Sequence, residues 1–252
     1  MNAAPHTVPA PVALVTGASR GLGLALARAL AAEGWQLVIT ARGAAELAEA
    51  EAGLAAVTKV VALPGSIVDD DHRAHLAEAA EGLGGASLLV NNAGSLNGAS
   101  GPGAEPLPRL AEFPLPDLLE LFEVNALGPI ALTQLVLPQL RAHSGAVLNI
   151  SSDAAVEPYL GWGGYGASKA ALDLATAVLA REEPELKVWA VDPGSMRTRM
   201  LQEASPGEDI SGEPLPGQIA PVLLGLLRDR TPSGRYRAED LEAAPATDRG
   251  GR

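Results

Sequence analysis

Short apolar runs rich in Val, Ile and Leu alternate along this chain with stretches whose leucines recur at helical spacing. That alternation constrains the fold more than any other feature. Residues 12–15 form the first run, residues 16–23 carry three glycines, and Leu22, Leu26 and Leu30 then mark a helix ending near Gly34. Extended runs follow at 37–39, 59–63, 87–90, 146–150 and 188–191, with helical patterns over 44–54, 69–81, 117–140 and 165–179 between them. Strands separated by helices cannot pair through hairpins, so they lie parallel with helices on both faces. The expected fold is α/β, a single-domain doubly wound parallel sheet over residues 12–240, with a flexible arm (1–11) before it and a flexible tail (241–252) after it. Two interruptions, 95–116 and 199–217, follow strand carboxyl ends, where open α/β sheets bind ligands, and read as the walls of a pocket.

The charges, 18 Lys+Arg against 30 Asp+Glu, leave a net −12, and 47% of the 252 residues are hydrophobic. The apolar fraction excludes wholesale disorder, and the acidic balance argues against a nucleic-acid partner. With no cysteine there is no disulfide, thiolate metal site or cysteine nucleophile, which fits a reducing compartment. The most membrane-like stretch, 124–140, is interrupted by Asn125, Pro129, Thr133, Gln134 and Pro138, so no membrane partner is expected and the protein reads as cytoplasmic.

Between the first strand and first helix, Thr16-Gly17-Ala18-Ser19-Arg20-Gly21-Leu22-Gly23 has the composition of a pyrophosphate cradle. Glycines permit a tight turn and close approach of the backbone, and the helix N-terminus offers free N–H groups and a positive dipole end. The second strand ends in Arg42, where NAD-selective folds place a carboxylate. Arg42 and Arg20 can bind a 2′-phosphate through charge-assisted bonds, which selects NADP(H) over NAD(H).

Tyr165 and Lys169 stand four residues apart, on one face of a helix. A nearby cation favours a phenolate, so the spacing suggests an acid/base catalyst whose hydroxyl is acidified by the amine. Neither Tyr159 nor Tyr236 has a lysine at the matching position. Ser151 and Ser152 follow the strand 146–150, where a hydroxyl can stabilise charge on a carbonyl oxygen or cap a turn; periodicity does not choose between the two serines.

These motifs, with Asn91-Asn92-Ala93-Gly94, Asn125 and Asp192-Pro193-Gly194 followed by Thr198, resemble the classical short-chain dehydrogenase/reductase family from Val12 to Glu239. The resemblance implies a Rossmann fold and an oxidoreductase moving a hydride between NADP(H) and a carbonyl or secondary alcohol. It gives Tyr165 the acid/base role, Lys169 the nicotinamide ribose, Ser152 rather than Ser151 the substrate carbonyl, and Asn125 a water that links Lys169 to solvent. It also implies that Gly17, Ser19, Arg20, Gly21, Leu22 and Gly23 hold the pyrophosphate. Ser66 and Ile67 would sit at the adenine, Asn91, Ala93 and Gly94 would support the sheet centre and pass beside the adenine ribose, and Pro193, Gly194, Met196 and Thr198 would lie at the nicotinamide end. Ser66 stands where the family carries an aspartate.

The residues flanking the expected pocket, Leu96, Tyr159, Leu160, Trp162, Met196, Met200 and Leu201, suggest a hydrophobic ketone or aldehyde. Family members pair through the long helix and the Tyr165 helix, here through Leu118, Leu121, Phe122, Leu172 and Leu179, implying a homodimer or homotetramer. His72 and His75 lack further ligands for a metal and read as solvent-facing, and Asp69, Asp70 and Asp71 read as a helix cap. A Ser-His-Asp hydrolase is excluded, since neither a G-x-S-x-G elbow nor a histidine occurs after His143. An inactive dinucleotide-binding regulator would tend to lose Tyr165 or Lys169, and a sugar-nucleotide epimerase needs more chain after Asp192.

Overall fold

The computed structural model describes residues 10–97 and 107–243; the ends of the expected arm and tail and the middle of the first pocket wall lie outside them. Seven strands form one parallel sheet in the order β3-β2-β1-β4-β5-β6-β7. They are β1 (Val12–Thr16), β2 (Gln36–Ala41), β3 (Val60–Pro64), β4 (Ala86–Asn91), β5 (Ala146–Ile150), β6 (Lys187–Asp192) and β7 (Gly234–Arg237). The chain winds outward from β1 to β3, crosses back to β4, and winds the other way to β7. Its switch point therefore lies between β1 and β4, and the crevice opens at their carboxyl ends.

Successive strand residues serve opposite faces. Val15 and Ile39 pack with Leu26 and Leu30 of α1 (Gly21–Ala32) and Leu47 and Leu54 of α2 (Ala44–Ala55). Leu14 and Val38 pack instead with Leu76 of α3 (Asp70–Gly82) and with Leu132, Val136 and Leu140 on the opposite face. Each leucine buried in this way contributes roughly 1.5–3 kcal/mol.

The expected helix over 117–140 is interrupted. α4 (Leu115–Phe122) passes through a π turn, Glu123–Leu127, into α5 (Gly128–Ala142). The extra residue per turn points Asn125 inward, where it is fully buried. By length and mean hydropathy the continuous segment Leu115–Ala142 would suffice to cross a membrane, which corrects the reading that its prolines and polar residues disqualify it; half of its most apolar window is buried inside this fold. The next helix, α6 (Gly163–Glu182), starts two residues before Tyr165.

Sequence patterning did not find α7 (Arg199–Ala204), α8 (Pro216–Arg228), β7 or α9 (Ala238–Ala243). α7 runs inside the segment expected to be an irregular wall. In α8, Pro216 sits at N1, where its missing N–H costs nothing, and Ile219, Leu223 and Leu224 join the α1 side of the core. β7, Gly-Arg-Tyr-Arg, is a short edge strand with two charged side chains.

Candidate active site

Thr16 and Asn92 lock the glycine turn to the end of β4. The Thr16 hydroxyl accepts from the backbone N–H of Asn92 and of Ala93, both at 3.0 Å, and Asn92 Nδ2 donates to the carbonyls of Thr16 (2.9 Å) and Gly17 (3.2 Å). Gly17 has φ +67°, and a Cβ there would fall 2.8 Å from Asn92 Nδ2. α1 starts immediately after with no side-chain cap and no acidic residue in its first turn, so its leading N–H groups are open to an anion. The cradle fits a pyrophosphate. Neither Thr16 nor Asn92 stood out as a separate functional residue in the sequence, because the bonds joining the two motifs span more than seventy residues.

A cleft of about 1540 Å³ runs from this turn to Ser152, Tyr165 and Lys169. That exceeds the roughly 300–1,000 Å³ of ordinary ligand pockets and suits an extended dinucleotide with a second molecule beside it. Gly17, Ser19, Arg20, Gly21, Leu22, Arg42, Ser66, Ile67, Ala93, Gly94, Pro193, Gly194, Met196 and Thr198 all line it, as do Leu96, Ser152, Trp162, Tyr165, Lys169 and Met200.

Four expected residues lie elsewhere. Gly23 faces inward, and a Cβ on it would come within 2.3 Å of the Gly17 carbonyl oxygen, so it serves packing and not ligand contact. Asn91 is buried at the sheet centre, donating to Asn149 Oδ1 (2.8 Å) and Thr133 Oγ1 (3.2 Å). Asn125 spends its amide on the Ser95 carbonyl (2.9 Å) and Ser168 Oγ (3.0 Å), and its Oδ1 on the Ser95 N–H (2.8 Å). That Oδ1 and Lys169 Nζ still converge, at 3.3 and 3.7 Å, on the position of a Cβ at Gly94. Tyr159 lies on a separate shallow groove and donates its hydroxyl to Asp153 Oδ2 at 3.0 Å; neighbouring Leu160 projects into solvent.

His72 also differs from expectation. It is half-buried rather than solvent-facing, with Nε2 2.8 Å from Thr40 Oγ1, and burial holds its imidazole below the ordinary histidine value. His75 is exposed, and Asp69 caps α3 by accepting from the His72 N–H at 2.8 Å.

Tyr165 is buried in a small apolar cluster with Leu96, Leu121 and Ala154, its ring edge-on to Trp162 at 5.5 Å. Lys169 Nζ donates to the Ile150 carbonyl at 2.8 Å and sits 5.7 Å from the centre of the Tyr165 ring. Ser152 donates to Asp153 Oδ1 (2.9 Å) and accepts from the Ala154 N–H (3.2 Å), so it caps the turn 153–155 close to the Tyr165 phenol.

The electrostatics reverse one expectation. Burial pushes the Tyr165 phenol well above its ordinary value, the Ser152 hydroxyl opposes this, and Asp153, Asp192 and Asp173 add to the rise. Burial brings Lys169 down to about 8, against the pull of Asp173. Lys169 Nζ lies over the ring, 5.7 Å from its centre, and burial is the main cause of the phenol's raised proton affinity. Burial keeps the phenol protonated and, taken alone, makes it a weaker acid than an ordinary tyrosine.

The family match agrees with this geometry: residues 11–209 fit the short chain dehydrogenase family. The chain belongs to that family. Among the chain's relatives, serine 3-dehydrogenase of Agrobacterium fabrum is 32% identical over 212 residues, covering 83% of this chain and 81% of the relative. The chain superposes on a Pseudomonas syringae protein assigned to the short chain dehydrogenases with a TM-score of 0.83 at 29% identity, over 94% and 98% of the two chains. It also superposes on an alcohol dehydrogenase from Thermococcus sibiricus, solved with 5-hydroxy-NADP, with a TM-score of 0.79 at 26% identity over 90% and 95%. It is an oxidoreductase of the Rossmann-like type, and its cleft fits a nicotinamide dinucleotide.

Proposed function

We propose that the protein is an NADPH-dependent carbonyl reductase with Tyr165 as its general acid. The observation that carries this reading is the placement of Tyr165 and Lys169, one turn apart on α6, in the same cleft as Arg20 and Arg42. No carboxylate ends β2, and a 2′-phosphate between the two guanidinium groups would receive charge-assisted bonds that NADH cannot use. The NADP derivative in the Thermococcus sibiricus structure supports the same choice.

A reduced nicotinamide, when bound, supplies a hydride to the carbonyl carbon. The chain's own residues handle the oxygen. Tyr165 gives its proton to that oxygen as charge develops there, and Ser152 turns its hydroxyl from Asp153 toward the same atom. Lys169 holds the nicotinamide ribose as an ammonium and, with a water held by the buried Asn125, would form the relay that brings a proton back to the phenol. Leu96, Trp162, Met196 and Met200 favour a hydrophobic ketone or aldehyde at this end. The protein would work in the cytoplasm.

A second copy of the chain is the expected partner, through a surface that corrects the sequence expectation in part. Leu121 and Leu172 are 0% and 2% exposed and cannot serve, whereas Leu115, Leu119, Leu174 and Val178 are 64%, 59%, 69% and 46% exposed on α4 and α6. Incubating the protein with a panel of aromatic, aliphatic and sugar-like carbonyls while following NADPH and NADH absorbance tests the reading. Turnover of hydrophobic carbonyls with NADPH is expected. A clear preference for sugars would remove the substrate class, and no turnover would remove the activity.

A further inference from the structure

Beyond residue 209, where the family match ends, β7 places Arg235 against the back of the catalytic residues. Arg235 pairs in register with Ala190 of β6, and its guanidinium reaches two different elements. Nε donates to Asp173 Oδ2 at 2.8 Å, and Nη2 donates to the backbone carbonyl of Ser152 at 2.9 Å. Asp173 stands one helical turn after Lys169, so Tyr165, Lys169 and Asp173 form one stripe on α6. We infer that Arg235 is a positioning residue that clamps the Ser152 backbone to the Tyr165–Lys169 helix and offsets the Asp173 carboxylate beneath the catalytic pair.

Both halves of the clamp follow from chemistry. A guanidinium fork fixes two acceptors at once, and here they belong to the strand end that carries the serine and the helix that carries the tyrosine. Tyr165 and Ser152 must address one carbonyl oxygen, and a shift of about 1 Å between catalytic groups costs on the order of 100-fold in rate. The Asp173 side chain is largely buried, its Oδ1 has no hydrogen-bond partner, and among the described residues Arg235 is the cation in direct contact with it. The other charges facing the pair are Asp153, beside Ser152, and Asp192 at the end of β6, with Arg237 3.9 Å from Asp192. Asp173 acts on Lys169 and on Tyr165 in the same direction, raising both. Removing Arg235 exposes the pair to the full carboxylate.

This inference rests on the proposed reductase reading, and the experiment separates the two. Arg235→Ala, Arg235→Lys, Asp173→Asn and the double variant Arg235→Ala/Asp173→Asn are compared with the wild-type chain. Turnover is measured for each, and the pH midpoint for acylation of Lys169 by acetic anhydride is read by mass spectrometry. Arg235→Ala is expected to lower kcat about 10- to 100-fold, with dinucleotide affinity within about threefold, and to move the Lys169 midpoint up from about 8. Asp173→Asn should move it down, and the double variant should match Asp173→Asn. Arg235→Lys, with a cation but no fork, should hold the midpoint near the wild-type value and recover only part of kcat. The clamp is overturned if Arg235→Ala keeps kcat within twofold, or if kcat falls with the melting temperature while the midpoint stays put. A wild-type chain that reduced no carbonyl would sink the reductase reading, while the Lys169 midpoints would still decide the clamp.

Discussion

Lys169 Nζ donates to the carbonyl of Ile150 at 2.8 Å, so the ammonium on α6 is anchored to the last residue of β5 and not to the phenol one turn away. The anchor fixes the amine at the floor of the cleft, between the Tyr165 ring and the backbone of Gly94.

The state of that amine sets a pH dependence. Burial lowers its pKa from 10.5 to about 8, so the charged form of the donor that meets a ribose hydroxyl predominates below pH 8 and gives way to the weaker neutral amine as pH rises through it. Dinucleotide affinity should therefore weaken above pH 8, by about tenfold for one charge-assisted bond. Quenching of Trp162, which lines the cleft, measures it. Lys169→Met should bind weakly with no inflection near pH 8, and a wild-type affinity flat from pH 7 to 9.5 would show that the amine does not hold the ribose.

Tyr165→Phe keeps the ring and its edge contact with Trp162 but removes the proton. Turnover should fall by about 10²- to 10⁴-fold, the usual worth of a general acid. Dinucleotide affinity should stay within about threefold. Retained turnover in stopped assays would remove Tyr165 from the chemistry.

Replacing Arg42 with Asp should weaken NADPH by about 10- to 100-fold and leave NADH nearly unchanged, since a charge-assisted bond contributes roughly 1.5–3 kcal/mol. Glu46, whose carboxylate folds back over Gly43, opposes a 2′-phosphate. Glu46→Gln should tighten NADPH a few-fold. Calorimetric titration with both cofactors decides, and an unchanged ratio in Arg42→Asp would take selectivity away from that arginine.

In most helices Gly→Ala is stabilising by about 1 kcal/mol. At Gly23 the sign reverses, because the new Cβ would lie 2.3 Å from the Gly17 carbonyl oxygen and 2.4 Å from Asn92 Nδ2. Gly23→Ala should destabilise by about 1–3 kcal/mol and loosen the phosphate cradle. Urea unfolding and dinucleotide titration measure the two effects; a variant as stable as the wild type would mean the cradle yields at no cost.

Light scattering should report a dimer or larger assembly, and Leu174→Glu, at a position 69% exposed on α6, should shift it toward monomer with the fold intact by circular dichroism. A wild-type chain that is monomeric at micromolar concentration would remove the self-association.

The parts legible in the sequence were those whose information is local. A four-residue spacing puts Tyr165 and Lys169 on one helix face, and the glycine turn announces itself within eight residues between an apolar run and a helical one. The misread residues depend on partners far along the chain. Asn125 looked like a residue inside one long helix, yet the π turn points it at Ser95 and Ser168. Leu121 and Leu172 were apolar enough for an interface, but helix phase turned them into the core. Tyr159 is near Ser152 in sequence but lies on another groove, where it bonds Asp153.

Period and spacing thus sufficed for the doubly wound sheet, the phosphate cradle and the pairing of phenol with amine, because each follows from backbone geometry over one or two turns. Which way the phenol's proton affinity moves could not be read there. It depends on burial and on Asp153, Asp192 and Asp173, and on where an ammonium stands relative to an oxygen. Those distances exist only once β5, α6 and β6 have packed together, since desolvation and Coulomb energy follow position in space and not in sequence.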